Sequence, residues 1–223
     1  MSLDSLRRLA HRNDLEVAHL VKELRLGTPG LAEAVESMAI EFAWSEGMDL
    51  PDGPRLVPWA RWARVVAAFA RHGFDGLRPL VASGDDVPFV LGLVAELRNA
   101  GAVPFLRAAF ADVLHEPGAH PDLAHELAQA VNLLLSFKDA VTVAPADAQA
   151  LQAFLLRWLP LTDTEPRRAG AILALRGVGD ESALKIVMAQ ADLPYPWQNT
   201  RAVTLRAIRK RLAAPRGPAS NPA

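Results

Sequence analysis

"RRAGAILALRGVGDESALKIV", residues 167–187, is the stretch from which the rest of the chain can be read. Gly177 and Gly179 flank Val178 as in an enzyme's glycine turn, yet no phosphate-binding lysine, nucleophile or metal ligand accompanies them. A phosphate cradle needs a strand before it and a helix N-terminus with basic support after it. Here an alanine-rich helical run precedes the turn, and Asp180 repels anions. The turn reads as a hinge between two packed helices, with glycine near the end of the first.

The same helical signature recurs along the chain, with apolar residues at i, i+3, i+4 and i+7. It appears in Val17, Leu20, Val21 and Leu24, in Trp62, Val65, Val66 and Phe69, and in Val90, Leu93, Val94 and Leu97. Leu106, Ala109, Phe110 and Val113 repeat it, as do Leu127, Ala130, Val131 and Leu134. Leu151, Phe154, Leu155 and Trp158 follow, and Leu184, Val187, Met188 and Ala191 complete the series. No segment keeps a period of two, and alanine, the best helix former, supplies about 40 residues. The spacing predicts an all-α fold.

Punctuation falls between these segments. Thr28-Pro29 reads as a cap and first helical residue before Leu31, Asp147 as the cap of the Leu151 helix, and Asp85-Asp86 as caps before Val87-Pro88. Breaks such as "ARHGFDG", "ASGDDVP" and "RNAGAVP" are short, which predicts antiparallel pairs. "GMDLPDGPRLVP", "HEPGAHP" and "DLPYPWQN" are longer and separate one pair from the next.

Residues 168–175, RAGAILAL, align with 201–208, RAVTLRAI, at an offset of 33 residues (201 minus 168). A helix pair of that period cannot bury its own apolar face, so such units stack. Asp163-Thr-Glu-Pro-Arg-Arg-Ala, then ALRGVGDESALKIV, then Arg201-Ala202, resembles the HEAT-like repeat of phycobilin lyases. The resemblance implies a short α-solenoid in which Asp180 caps the second helix, Ala183-Leu184 opens it, and Arg168 and Arg201 tie neighbouring repeats together. It is close over residues 162–212. Residues 58–160 keep the rhythm, with GFDGLRPLV and GAVPFLRAAF as echoes, and residues 1–57 match nothing. The expected division is an N-terminal helical segment over 1–57, HEAT-like repeats over 58–212, and a loose tail over 213–223, which is rich in proline and small residues.

With 51% hydrophobic and 22% charged residues, the 223-residue chain has the composition of a folded globular protein. It lacks cysteine, which excludes disulfides and thiolate chemistry. Charge interrupts the first residues too often for a signal peptide or a membrane span, so a cytoplasmic protein is expected. The net charge of -1 hides an asymmetry: six Lys/Arg against ten Asp/Glu over 1–57, and six against none over 197–223.

No nucleotide-binding, nucleophile-elbow or zinc-helix motif occurs. In "HEPGAHPDLAHE", His115, Glu116, His120, Asp122, His125 and Glu126 have metal-like composition. His120 lies in a proline-glycine loop, and the adjacent His125 and Glu126 point about 100° apart on a helix, so a solvated loop is expected. Glu33, Glu36, Glu41 and Glu46 fall on one long helix, and Glu33 with Glu36 reads as a solvated face. Arg206, Arg209 and Lys210 share the face of a last helix, with Arg211 and Arg216 beyond and no basic stripe elsewhere. Trp62 and Trp158 read as core. Tyr195, the only tyrosine, lies between two prolines just before Trp197, where either a contact or a plug between repeats would use them.

These readings point to a non-catalytic protein-binding scaffold, a bacterial-type adaptor or a toxin-neutralising immunity protein, with no catalytic residue, cofactor or metal. Second helices are expected to begin near Gly76, Val103, Asp147 and Ser182. Their polar residues Arg78, Arg107, Gln152 and Lys185, with Tyr195 and Trp197, are the expected contact surface. The acidic first 57 residues are the alternative location. The rival function is nucleic-acid binding, as in alkylpurine DNA glycosylases built on HEAT-like repeats, and a bilin-lyase helper is a third.

Overall fold

A computed structural model describes residues 3–11, 15–44, 53–136 and 141–213. Among these the chain forms thirteen α-helices and no strand, so the fold is all-α. It divides into two compact units, Met1–Phe105 and Leu106–Ala223.

The first unit holds α1 (Leu3–His11), α2 (Val17–Leu26), α3 (Leu31–Trp44), α4 (Gly53–His72), α5 (Phe74–Ser83) and α6 (Val87–Leu97). Helix α4 is its centre, packing on α3, α5 and α6. Its inward face buries Ala63, Val65, Val66 and Ala67, while α6 buries Val90, Leu91, Leu93, Val94 and Leu97. Turns with left-handed glycines, Gly73 at φ 58° and Gly84 at φ 83°, reverse the chain between α4 and α5 and between α5 and α6. Arg25 of α2 donates to the carbonyls of Glu96 and Leu97 at 2.8 and 3.2 Å, satisfying the open C-terminal end of α6.

Several expectations change here. Helix α4 begins at Gly53, so the expected boundary at 57 cuts a helix, and the segment read as the loop "GMDLPDGPRLVP" is helical from Gly53 onward. Pro58 inside α4 forfeits one hydrogen bond near its start, where the extensive packing of α3 on α4 overrides it. Thr28 does not cap α3. Its hydroxyl donates to the buried Glu23 carboxylate at 2.6 Å, and this bond holds the Glu23 carboxyl below its usual range. Trp62 is half-buried, edge-on to Phe89 at 5.3 Å.

Helix α7 (Ala102–Ala109) spans the division between the units. The second unit continues with α8 (Ala111–His115), α9 (Pro121–Leu135), α10 (Pro145–Trp158), α11 (Glu165–Val178), α12 (Glu181–Met188) and α13 (Thr200–Ala213). A break at Phe110 interrupts the spacing read across 106–113 as one helix. Alternate helices α9, α11 and α13 lie against one another, and α10 and α12 meet α11 and α13 respectively. Small side chains allow that approach: α11 buries Ala169, Ala171 and Ala174 beside Ile172 and Leu175. Trp158 is fully buried in α10. Polar bonds repeat the stacking, since Arg176 donates to Asn132 at 3.1 Å, Arg211 to the Arg176 carbonyl at 2.5 Å, and Thr204 to the Ile172 carbonyl at 3.2 Å.

The glycine turn is a hinge, but its glycines are not there for left-handed backbone. Gly177 is helical and Gly179 extended, at φ -61° and ψ 138°. A methyl on Gly177 would stand 2.3 Å from Leu135 Cβ and 2.8 Å from the Leu135 carbonyl oxygen, and one on Gly179 would meet Ile208 at 2.9 Å. Both residues are small because neighbouring helices pass close by. The part of the expected tail from 214 onward lies outside the described residues.

Candidate functional site

The joint between α10 and α12 shows how the second unit fixes its outer helices. Asp180 Oδ1 accepts from the backbone N–H of Ser182 at 2.8 Å and of Ala183 at 3.1 Å, and from the Ser182 hydroxyl at 2.6 Å. This is the cap expected at the start of the second helix. Burial, the largest single influence on the Asp180 carboxyl, would raise its pKa. The bonds from Ser182, Gln152 and the two backbone groups together outweigh it and bring the pKa down to about 2.

Gln152 corrects the expected contact row. It is only 9% exposed, its carbonyl accepts from the Asp180 N–H at 3.0 Å, and its amide donates to the Ser182 hydroxyl at 3.2 Å. A polar side chain on α10 therefore serves the turn instead of facing a partner. Arg107 is ion-paired with Asp147, in the first turn of α10. Asp147 is not a cap, because it lies inside the first turn: α10 begins at Pro145, with Ala144 at the cap position. Arg78, in the first unit, is exposed and bonded to Asp75 at 3.2 Å. Arg168 makes no side-chain bond among the described residues, whereas its neighbour Arg167 pairs with Asp122 of α9 and with Asp163.

Lys185, Tyr195 and Trp197 remain on the surface made by α12, the following loop and α13. Arg201 organises this loop, donating to the carbonyls of Met188 and Gln190 at 3.3 and 3.0 Å and pairing with Asp192 at 2.8 Å. Leu193 is buried beneath it, and Trp197, half-buried, donates its backbone N–H to the Pro194 carbonyl at 2.7 Å. The loop is thus tied down while Tyr195 stands 85% exposed. Sequence spacing placed Leu184, Val187, Met188 and Ala191 on one buried seam, but only Val187 of the four is buried, with Ala183. Met188 is 50% and Ile186 39% exposed, and Arg209 of α13 reaches the Met188 sulfur at 3.9 Å. An i, i+3, i+4 pattern cannot reveal that α12 is too lightly covered to bury it.

Among the described residues no three His, Asp or Glu side chains converge to hold a metal. In the histidine-rich stretch, Asp122 pairs with Arg167, and His125 turns against Gly170 of α11 with its Nε2 at 2.7 Å from Gln129 Nε2. Burial lowers the His125 pKa. No described helix is long and apolar enough to cross a membrane. Comparison with known proteins finds no matching family, no matching curated protein and no matching solved structure.

Proposed function

We propose that this chain is a non-catalytic protein-binding scaffold, its helix pairs stacked as a short HEAT-like solenoid and its partner held by stoichiometric contact. The observation that carries this reading is Met188, half exposed at the end of α12 with Arg209 at its sulfur, followed by Tyr195, exposed on the loop that Arg201 and Leu193 hold in place. Isolated exposed apolar residues are ordinary, but an aromatic anchor with adaptable Met and Arg neighbours on fixed backbone has the composition of an interface centre. Lys185 and Trp197 lie on the same elements. A cytoplasmic adaptor or an immunity protein that occludes a toxin domain would use such a surface, and the basic α13 favours an acidic partner.

Nucleic-acid binding is the weaker reading because the basic end is partly consumed internally. Arg201 is occupied by Asp192 and Arg211 by the Arg176 carbonyl, which leaves Arg206, Arg209 and Lys210 to face solvent.

The test is affinity capture by the tagged full chain, with and without nuclease, beside a Met188→Glu/Tyr195→Ala variant. One protein recovered in both halves, and at least about tenfold less by the variant, is the expected result. A protein held undiminished by the variant, or nucleic acid lost with nuclease, overturns the reading.

A further inference from the structure

Helix α4 carries a feature that the sequence did not disclose: Arg61, Arg64 and Arg71 follow one another at helical spacing along one face, beside a groove of about 620 Å³ between α3 and α4. The opposite wall, on α3, carries Glu36, with Glu33 beside it at 3.9 Å from Arg71. The floor is of small residues, among them Ala39, Ala43, Ala67 and Ala68, and from α3 the Ile40 side chain stands 58% exposed. One wall is therefore basic, the other acidic, and the middle apolar. Arg64 is already pinned by buried Asp86 at 2.8 Å and Arg71 by Glu36 at 2.8 Å. The summed charge is thus close to balanced and does not suit a phosphate backbone or a uniformly acidic peptide.

We propose that the α3–α4 groove binds the same groove of a second copy of this chain. A surface with one basic and one acidic wall is complementary to itself under a two-fold axis that runs parallel to the helices over the groove. That axis lays α3 of one copy on α4 of the other at the same height. An axis running across the helices would instead set glutamate on glutamate. The internal Glu36–Arg71 bond fixes the heights, because α3 and α4 run antiparallel there. Glu36 of each copy faces Arg71 of the other, which closes a ring of four charges. Four residues further along α3 is Ile40, and three residues back along α4 is Ala68, half-buried in the groove. Each exposed isoleucine consequently enters the alanine slot of the opposite copy, a large side chain against small ones. Only about ten residues of each helix take part, roughly 15 Å of length, which places the contact at the small end of specific interfaces and its dissociation constant in the micromolar range.

The test is sedimentation equilibrium of the full chain up to about 200 μM. The mass is expected to rise from the 24.1 kDa of one chain toward twice that value. Ile40→Arg is expected to keep the chain monomeric throughout, with helicity and melting unchanged because Ile40 is exposed. Glu36→Arg alone and Arg71→Glu alone are expected to weaken association at least tenfold, and the two together to restore it, since the exchanged walls remain complementary. A chain that stays monomeric at the highest concentration overturns the proposal. So does a dimer indifferent to Ile40→Arg, or a charge exchange that restores nothing. None of these outcomes bears on Met188 and Tyr195, so the scaffold reading and this one fail separately.

Discussion

Asp180 and Asp86 each stand one residue before a helix, and each reads as its cap, yet they hold their helices by different means. Asp180 bonds the first N–H groups of α12 and leans on Gln152. Asp86 makes no side-chain bond to α6. It is 2% exposed and bound instead by Arg64 of α4. One is a local device with its donors two and three residues away. The other is a tertiary tie in which a charge is buried because a partner from another helix comes to it. The glycines beside them differ in the same way. Gly84, before Asp86, has a left-handed backbone and open space around it, whereas Gly177, before Asp180, has helical backbone and no space.

The largest effect is expected where this difference between glycines is broken. Gly177→Ala forces a methyl against Leu135 backbone and must push α11 from α9, costing about 3 kcal/mol as overpacking. Gly84→Ala meets no atom and costs about 1 kcal/mol from left-handed strain alone. Urea denaturation of both variants checks the order. Equal losses would mean that Gly177 is no closer to its neighbour than a turn glycine is.

Next is the pair of aspartates. Arg64→Ala leaves the Asp86 carboxylate buried without its cation, at a cost of about 2 kcal/mol, less than for a fully buried pair because Arg64 is half exposed. Arg64→Ala/Asp86→Ala is expected to regain part of that loss, and a double-mutant cycle by urea denaturation measures the coupling. Additive losses would show that Asp86 acts on α6 by itself.

What the sequence could show follows the same division between local and distant partners. The all-α class, the turn at 177–182 and the Asp180 cap were legible because their causes lie within one or two helical turns. The role of Gly177 was not, because Leu135 comes from another helix. Gln152 reads as surface from the sequence, since nothing local indicates that a polar residue on α10 turns toward Asp180. Of the candidate surface, Lys185, Tyr195 and Trp197 follow from their loop and helix, whereas the spacing of Met188 places it on a seam. Its exposure depends on how little covers α12, which periodicity does not encode.

The smallest effect concerns the cap itself. Asp180 titrates near 2 in the folded chain against 3.8 for an unperturbed aspartate, so its charged form is favoured by folding. The stabilisation is fully present above pH 3.8 and is lost as pH falls through 2. Because the residue is exposed and screened by solvent, the contribution is about 1 kcal/mol, the ordinary worth of a cap. Asp180→Asn separates the two parts of this effect, because asparagine caps nearly as well but does not titrate there. At pH 7 the variant is expected to lie within about 0.5 kcal/mol of the parent. Other carboxylates titrate in the same range and contribute equally to both proteins, so the informative quantity is the difference between the two denaturation curves from pH 4 to pH 2. The parent should lose about 1 kcal/mol more over that interval. Parallel curves would mean that Asp180 holds α12 as a neutral acceptor would, and that Gln152 and Ser182 set the geometry of the turn without favouring its charge.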